Sequence, residues 1–273
     1  MGIYAVNGKE PVAAWIPSLD TAGNGTTTLT DLVGSSDGTL TNMDAGTDWP
    51  ADTGAGGVRA LDLDGSGDRV DVGQPISDYS AFTVAGWFKP TSSRYTQFAL
   101  AQRLNHTIGW YALMIRNGRW RFEVKSNNGS WFNSPIISVS LGSWQHVVGV
   151  FTGTRVELYV DGARAGTGTA YSGAIPAPTV DASIGSQRSG FSDVNNYVGR
   201  VDDVRIFESA LDSSDVAYLY DSGTGRGIVA SGGGCGGVTA AMLVALRRRQ
   251  RGFGSPYSVR SSFGESGGSI TSS

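Results

Sequence analysis

The sequence contains few of the residues on which metal centres and covalent cross-links depend. Its 273 residues include one cysteine, Cys235, and two histidines, His106 and His146. One cysteine cannot close an intramolecular disulfide, and a zinc site that needs two thiolates is excluded with it. Two histidines are also too few for a multi-histidine metal site. These counts therefore argue against a disulfide framework, a thiolate zinc site and a multi-histidine metal site.

Charge and long apolar runs are scarce as well. Charged residues make up 16% of the chain, against about a quarter in an average domain. No stretch reaches the roughly 18 apolar residues of a membrane span. The N-terminus, MGIYAVNGKEPVAAW, has no basic start followed by an apolar run, so we predict no Sec signal peptide. We therefore expect a location on a virion, or outside the cell by a route that does not use the Sec pathway.

Glycine is abundant, with 40 residues, and no G-X-Y period accompanies it, which excludes collagen. Strand-like segments are separated by glycine, serine and asparagine loops. Asn117-Gly118 divides WYALMIR from RWRFEVK, the strongest short signal for a hairpin, and Asp161-Gly162 marks another tight turn. Residues 212–220 read as one short capped helix. The pattern predicts an all-β fold, an antiparallel sandwich with a short C-terminal helix.

Composition changes near residue 221. Residues 222–273 carry six arginines and one glutamate, whereas residues 1–221 carry 15 basic and 23 acidic groups. We therefore expect a β-sandwich over residues 1–221, a Gly/Ser-rich linker over 222–237 and a basic, largely disordered tail over 238–273. The tail combines the apolar stretch VTAAMLVAL with the cluster RRRQR. It could dock on a protein partner, and a nucleic-acid partner is the less favoured interpretation.

Five ordered motifs in residues 13–221 resemble the laminin-G-like group of concanavalin A-like domains, the lectin/glucanase superfamily. They are Trp15 with GTLTN (38–42), ALDLDG with DRVDV (60–72), TVAGWFKP (83–90), the segment from Trp144 to Gly162, and the segment from Gly199 to Tyr220. The resemblance implies a jelly-roll β-sandwich. It does not select one function, because the family includes sugar-binding modules, adhesion domains, enzyme appendages and virion proteins.

The resemblance also implies a possible cofactor, since many relatives bind one structural Ca²⁺. The metal ligands that the resemblance suggests are Asp64 together with Asp202 or Asp203. Calcium prefers carboxylate oxygens as ligands. The alternative is structural. Asp64 would then cap the turn over residues 65–68, and Asp202 would accept backbone hydrogen bonds.

Candidate ligand-binding residues come from loops rich in aromatic and amide side chains. Trp131 and Phe132 lie in SNNGSWFNSP beside Asn128 and Asn133, a mixture suited to stacking on sugar rings and bonding their hydroxyls. The alternative is a hydrophobic plug at the end of the sandwich. Two other loops contribute the remaining candidates, which are Arg94, Tyr95, Arg188 and Asn195.

Catalysis has little support in the sequence. Retaining glycoside hydrolysis needs two carboxylates about 5 Å apart, and glucanases of the superfamily carry them in an E-x-D-x-x-E strand. None of the five glutamates lies in that motif, and a triad through His146 has no motif to support it. We therefore expect no enzyme activity. The first hypothesis is a non-catalytic module that binds glycans or a glycosylated surface. The second is a structural or virion-associated assembly protein anchored by residues 238–273, and a glycoside hydrolase is the third.

Overall fold

The computed structural model describes residues 5–103, 110–172, 175–187 and 195–225. In these ranges the chain forms 17 strands, one α-helix and two short 3₁₀ turns, Pro17–Leu19 and Asp221–Gly223. The strands are β1 Ala13–Trp15, β2 Thr28–Leu29, β3 Gly38–Thr41, β4 Leu61–Leu63, β5 Arg69–Gly73, β6 Phe82–Pro90, β7 Thr96–Gln102, β8 Trp110–Arg116, β9 Arg119–Lys125, β10 Trp131–Asn133, β11 Ile137–Ser138, β12 Gln145–Phe151, β13 Arg155–Val160, β14 Ala163–Arg164, β15 Thr169–Ala170, β16 Ala182–Ile184 and β17 Gly199–Phe207, and the helix is α1 Ser213–Tyr220.

The strands form two antiparallel sheets. The first has the order β1-β17-β6-β12-β13-β14, with β4 added to β17 and β15 added to β13. The second has the order β10-β9-β8-β7-β16-β5-β3-β2, with β11 added to β9. Neighbours such as β17 and β6 are far apart in sequence, as in a jelly roll rather than a simple meander. The predicted all-β sandwich is confirmed.

The core lies between the inner faces of the two sheets. Phe82 and Phe88 of β6 belong to the first sheet, while Trp120 and Phe122 of β9 belong to the second. Their rings meet at centroid distances of 6.1 Å for Phe82–Phe122 and 5.6 Å for Phe88–Trp120. A Cβ added at Gly149 would lie 2.4 Å from Phe122. Glycine is therefore required there for the sheets to approach, because interiors are close-packed.

Two tight turns follow the sequence signals. Asn117 and Gly118 have φ of 52° and 68° and join β8 to β9, while Asp161 and Gly162 have φ of 52° and 77° and join β13 to β14. Two consecutive positive φ angles define the type I′ turn that matches the twist of a hairpin. Both predicted turns are confirmed.

Helix α1 begins where its capping chemistry dictates. The carboxylate of Asp212 accepts hydrogen bonds from the backbone N–H groups of Ser214 and Asp215, and the Asp215 side chain accepts one from the N–H of Asp212. This reciprocal arrangement is a capping box. Asp215 also accepts hydrogen bonds from Asn7 and Lys9, so the cap ties the helix to the N-terminal segment.

Part of the predicted domain organisation falls outside the described residues. The chain divides into two units, Met1–Gly237 and Val238–Ser273, and the second is wholly outside the described ranges. The linker from residue 226 onward, Cys235 and the basic tail are outside them too, so the domain limits remain predictions. Within the described ranges, no helix combines the length and apolarity needed to cross a membrane.

Candidate carbohydrate-binding face

The second sheet has an inner face in the core and an outer face, and strict alternation assigns side chains to each. On β9 the core takes Trp120, Phe122 and Val124, as the period of two predicts. Arg121, Glu123 and Lys125 therefore project from the outer face. On β8 the outer positions are Trp110, Ala112 and Met114, which form a separate buried cluster with Phe98 and Ala101 of β7.

Arg103 follows β7 and lies among three aromatic rings of this outer face. Its guanidinium carbon lies 4.6 Å from the ring centroid of Trp110 and 5.5 Å from that of Trp131. The Phe98 centroid is 5.0 Å away. Each distance is within the range of a cation–π contact. We call this set the aromatic–cationic face and define it as Phe98, Arg103, Trp110, Glu123, Lys125 and Trp131.

Trp131 is the aromatic ring of this face that solvent reaches. Its register partner across the β9–β10 pair is Lys125, whose Nζ lies 5.1 Å from the Trp131 ring centroid. Trp131 is 40% exposed, whereas Trp110 is fully buried, and the two rings meet edge to face at 4.6 Å. Trp110 and Arg103 thus support Trp131 and leave part of its ring open.

Several buried polar atoms around this face have no hydrogen-bond partner among the described residues. They include the potential donors Nε of Arg103, Nε1 of Trp110 and Nε of Arg121, and the acceptors Oε2 of Glu123 and Oδ1 of Asn133. Leaving a buried polar group without a partner costs about 1–3 kcal/mol. A face that holds several such donors and acceptors together is suited to a ligand that can satisfy both kinds.

Positive charge dominates the same surface. Oε1 of Glu123 lies 3.1 Å from Nη1 of Arg121 and 4.0 Å from Nη1 of Arg116. Burial lowers the pKa of Arg103 below its ordinary value, and the neighbouring Arg116 lowers it further while Glu123 opposes this. Burial likewise lowers the pKa of Lys125, and the charge of Arg103 adds to the effect.

The predicted binding loop is divided between the two faces of the sheet. Trp131 and Asn133 lie opposite Lys125 and Glu123 and so belong to the outer surface. Phe132 points the other way and packs against Tyr171 with ring centroids 4.5 Å apart. Phe132 therefore fits the interpretation of a hydrophobic plug, whereas Trp131 is an exposed aromatic side chain.

The other predicted ligand residues are dispersed. Asn128 shapes its own turn by accepting a hydrogen bond from the N–H of Ser130 at 2.9 Å. Tyr95 is exposed at the end of the outer face, where its ring centroid lies 5.7 Å from the guanidinium of Arg116. Arg94 lies beside Gly65, away from Trp131. The carbonyl oxygen of Asn195 accepts a hydrogen bond from Phe98 at 3.0 Å, and Arg188 is outside the described residues.

The sequence interpretation missed the members of the face that lie on strands. Arg121, Glu123 and Lys125 could have been found, because the alternation that buries Trp120 also assigns them to the opposite side. Nothing local marks the closeness of Arg103 and Trp110 to Trp131, since it depends on pairing among β7, β8, β9 and β10.

The acidic residues expected to hold calcium do not form a ligand set. Asp203 accepts two hydrogen bonds from Arg205, at 2.6 and 2.7 Å. Asp202 is buried and accepts hydrogen bonds from Thr53 and from the backbone N–H groups of Ala55 and Asp203. Burial first, and the charge of Asp203 second, raise its pKa to about 6, which favours a proton at this carboxyl.

Asp64 is also engaged and lies apart from this pair. It accepts a hydrogen bond from the N–H of Ser66 at 2.6 Å, as its turn-capping role requires. Leu63 pairs with Gly199 in the antiparallel register, so Asp64 lies beside residue 198. Asp202 is four residues further along the chain, which corresponds to a separation of roughly 13 Å. In the described ranges, no three His, Cys, Asp or Glu side chains group to hold a metal ion. Asp64, Asp202 and Asp203 therefore do not form one calcium site. Calcium binding by the protein remains an untested prediction.

A second aromatic cluster lies on the outer side of the first sheet. Trp87, His146 and Tyr220 stack with centroid distances of 5.2–6.2 Å, beside a cleft of about 280 Å³ that Trp144 also lines. Burial lowers the pKa of His146 to about 3, and its Nδ1 has no hydrogen-bond partner. The low pKa favours the neutral form of this ring, which packs against Trp87 and Tyr220.

A comparison with family models matches residues 63–217 to the model described as the concanavalin A-like lectin/glucanases superfamily. The match spans more than half of the chain and includes β5 to β17. The chain belongs to this superfamily. No curated protein matches its sequence.

Solved structures with the same fold extend the comparison. Domain 4 of an extracellular arabinanase from Geobacillus stearothermophilus, solved with arabinotriose, matches with a TM-score of 0.56 at 17% identity. The ligand binding domain of botulinum neurotoxin serotype D, solved with N-acetylneuraminic acid, matches with a TM-score of 0.58 at 16% identity. A mutant of Trypanosoma rangeli sialidase with trans-sialidase activity matches with a TM-score of 0.54 at 18% identity.

The extent of these matches differs. They cover 79%, 80% and 76% of this chain, and 98%, 52% and 32% of the arabinanase domain, the toxin domain and the sialidase respectively. The matched part of this chain thus corresponds to nearly the whole arabinanase domain, to about half of the toxin structure and to about a third of the sialidase. At these identities the similarity shows the lectin/glucanase fold. The neighbours include carbohydrate-binding domains and a glycosidase.

Proposed function

We propose that the protein is a non-catalytic carbohydrate-binding or adhesion module that holds its glycan on the aromatic–cationic face. The observation that carries the proposal is Trp131, whose ring is 40% exposed amid buried donors and acceptors without partners. An aromatic face packs on the C–H side of a sugar ring. Sugar hydroxyls both donate and accept hydrogen bonds, so they match the mixed set of unpartnered atoms.

The structural neighbours support the same class of ligand. The arabinanase domain was solved with arabinotriose and the toxin domain with N-acetylneuraminic acid, and both share the sandwich fold with this chain. Fold alone does not transfer a function. The neighbours therefore add weight to a site that rests on its own residues.

The placement of carboxylates favours binding over hydrolysis. On the outer face of the second sheet, Glu123 is in register with Ala112 and Ala101, and then with Ser183 and Asp71 on the following strands. Four strand spacings separate the two carboxylates by roughly 19 Å. Glycoside hydrolysis uses carboxylates about 5–9.5 Å apart, so this pair does not serve as acid and nucleophile or base.

The proposal predicts that Trp131→Ala strongly weakens glycan binding while the fold is retained. The full chain and the variant would be screened on a broad glycan array, in calcium and then in EDTA. Tyr218→Ala removes a similarly exposed aromatic ring from helix α1 and serves as the matched control. Since the loss of a stacked ring costs about 1–3 kcal/mol, affinity should fall about ten-fold or more in Trp131→Ala alone.

The possible outcomes separate the alternatives. Equal binding in calcium and EDTA fits the absence of a calcium ligand set around Asp202. Binding that Trp131→Ala leaves intact would place the glycan elsewhere. An array without any binding would contradict the module for the glycans tested. That result would favour the second hypothesis, an assembly protein anchored by residues 238–273, which lie outside the described ranges.

A further inference from the structure

Arg103 is a partly buried cation whose charge is not neutralised within the described part of the chain. The carboxylate on its face, Glu123, pairs with Arg121 and Arg116. Among described residues Arg103 forms no ion pair, and its Nε has no hydrogen-bond partner. Its immediate neighbours are the rings of Trp110, Phe98 and Trp131.

A second cation increases the local positive charge. Lys125 lies opposite Trp131 in the strand register, and its Nζ is over the same indole ring as the Arg103 guanidinium. Removing charges from water is costly unless an opposite charge accompanies them. Two cations that share one aromatic ring repel each other, and an anion placed between them would relieve this repulsion and compensate the charge of Arg103.

We infer that the glycan bound on this face is acidic, and that its carboxylate or sulfate group contacts Arg103 and Lys125 while its ring packs on Trp131. This inference rests on the proposed function. The guanidinium of Arg103 has the planar donor geometry that suits such anions. The rings of Phe98 and Trp110 hold it in place, so little side-chain freedom is lost on binding.

The alternative is that aromatic rings alone compensate the charge of Arg103. A cation–π contact contributes about 0.5–2 kcal/mol, and the site would then accept neutral sugars as well as acidic ones. Burial nevertheless lowers the pKa of Arg103, in line with the three rings that surround its guanidinium at 4.6–5.5 Å. An anionic ligand would supply the opposite charge that the described residues do not give Arg103.

Matched pairs of sugars test the inference with the full chain. The pairs are a galacturonate oligosaccharide and its methyl ester, sialyllactose and lactose, and dextran sulfate and dextran. Titration calorimetry should give about ten-fold or greater preference for the acidic member of at least one pair, since a hydrogen bond to a charged group contributes that much. The first two pairs identify a carboxylate and the third a sulfate. The preference should weaken as salt increases.

Three variants identify the residues responsible. Arg103→Gln should reduce the affinity for the acidic sugar to that for its neutral counterpart, and Arg103→Lys should restore part of the preference. Arg155→Gln is the matched control, because it removes the same charge from the first sheet, where Arg155 donates a hydrogen bond to the carbonyl oxygen of Gly168. This variant should leave the affinity for both acidic and neutral sugars unchanged. Thermal melting of each variant reports whether its fold is retained.

The results distinguish failure of this inference from failure of the proposed function. Equal binding of acidic and neutral sugars, lost in Trp131→Ala, would overturn the acidic ligand and leave the carbohydrate module standing. An acid preference that Arg103→Gln retains, or that Arg155→Gln reduces equally, would overturn the role of Arg103. No binding to any sugar would contradict both.

Discussion

At the scale of single residues, the fold tolerates polar groups whose burial is only partly compensated. Asp202 illustrates this on the first sheet. Its carboxyl is buried beside Asp203, which is itself paired with Arg205, and its pKa is raised from 3.8 to about 6. The folded protein therefore binds a proton at Asp202 more tightly than the unfolded chain does.

This shift sets the sign of a pH effect. The stability that Asp202 contributes is fully present below about pH 4, and it is lost as the pH rises through about 6. Asn at this position stays neutral, so Asp202→Asn should gain stability relative to the wild type as the pH increases. Denaturant unfolding should show a relative gain of about 2 kcal/mol between about pH 4 and pH 7.

Asp78 provides a control of opposite sign. It is exposed, and a hydrogen bond from the N–H of Ser80 lowers its pKa, so Asp78→Asn should lose stability relative to the wild type as the pH rises. His146 contributes in the direction opposite to Asp202, because its pKa of about 3 is depressed by burial. Its stabilisation is present above about pH 6.5 and is lost as the pH falls. A gain in Asp202→Asn that does not change with pH would contradict the buried-carboxyl explanation.

At the scale of secondary-structure elements, helix α1 depends on its cap. Asp212 accepts hydrogen bonds from the N–H groups of Ser214 and Asp215, which have no partners within the helix. Asp212→Ala should lower the free energy of unfolding, because it leaves these N–H groups without their capping acceptor. Ser213→Ala changes the adjacent exposed residue and should be nearly neutral. Chemical denaturation measures both, and equal losses would show that the cap does not determine the stability of α1.

The elements also show how much of the structure follows from sequence. The glycine-containing turns at Asn117-Gly118 and Asp161-Gly162 were predictable because few dipeptides adopt two positive φ angles. The faces of β9 were predictable because charged and apolar residues alternate from Arg119 to Lys125. Strand β8 was not assignable in this way, since WYALMI is buried on both faces and carries no alternation.

The candidate site was less predictable than the fold for a physical reason. Loop composition selected Trp131, Phe132 and Asn133 together, but β10 pairs with β9 in a register that turns Phe132 inward and the other two outward. The partners of Trp131 come from Arg103 and Trp110, which long-range strand pairing brings together. The calcium expectation came from family resemblance, whereas the pairing of Asp203 with Arg205 was visible only in the folded structure.

At the scale of the whole molecule, the charge distribution opposes non-specific attraction of acidic polymers. Residues 1–221 carry 15 basic and 23 acidic groups, so the sandwich is net negative while its aromatic–cationic face is positive. Exposed charges act over a Debye length of about 8 Å at physiological salt. If the inferred acidic sugar binds, we therefore expect local cations such as Arg103 to select it by contact, since the net charge of the sandwich would repel it.

The central claim is that the glycan binds the aromatic–cationic face, and tryptophan indole NMR tests it directly. The chain has seven tryptophans. The indole N–H groups of Trp15, Trp49, Trp120 and Trp144 already donate hydrogen bonds, whereas those of Trp110 and Trp87 have no partner.

Addition of a glycan that binds on the array should shift the indole signals of Trp131 and Trp110 and leave those of Trp15 and Trp144 unchanged. Trp87 provides an internal comparison, because it lies on the other sheet beside the 280 Å³ cleft. Shifts confined to Trp87 and Trp144 would place the ligand in that cleft and contradict the claim. Unchanged Trp131 and Trp110 signals at saturation would contradict it equally.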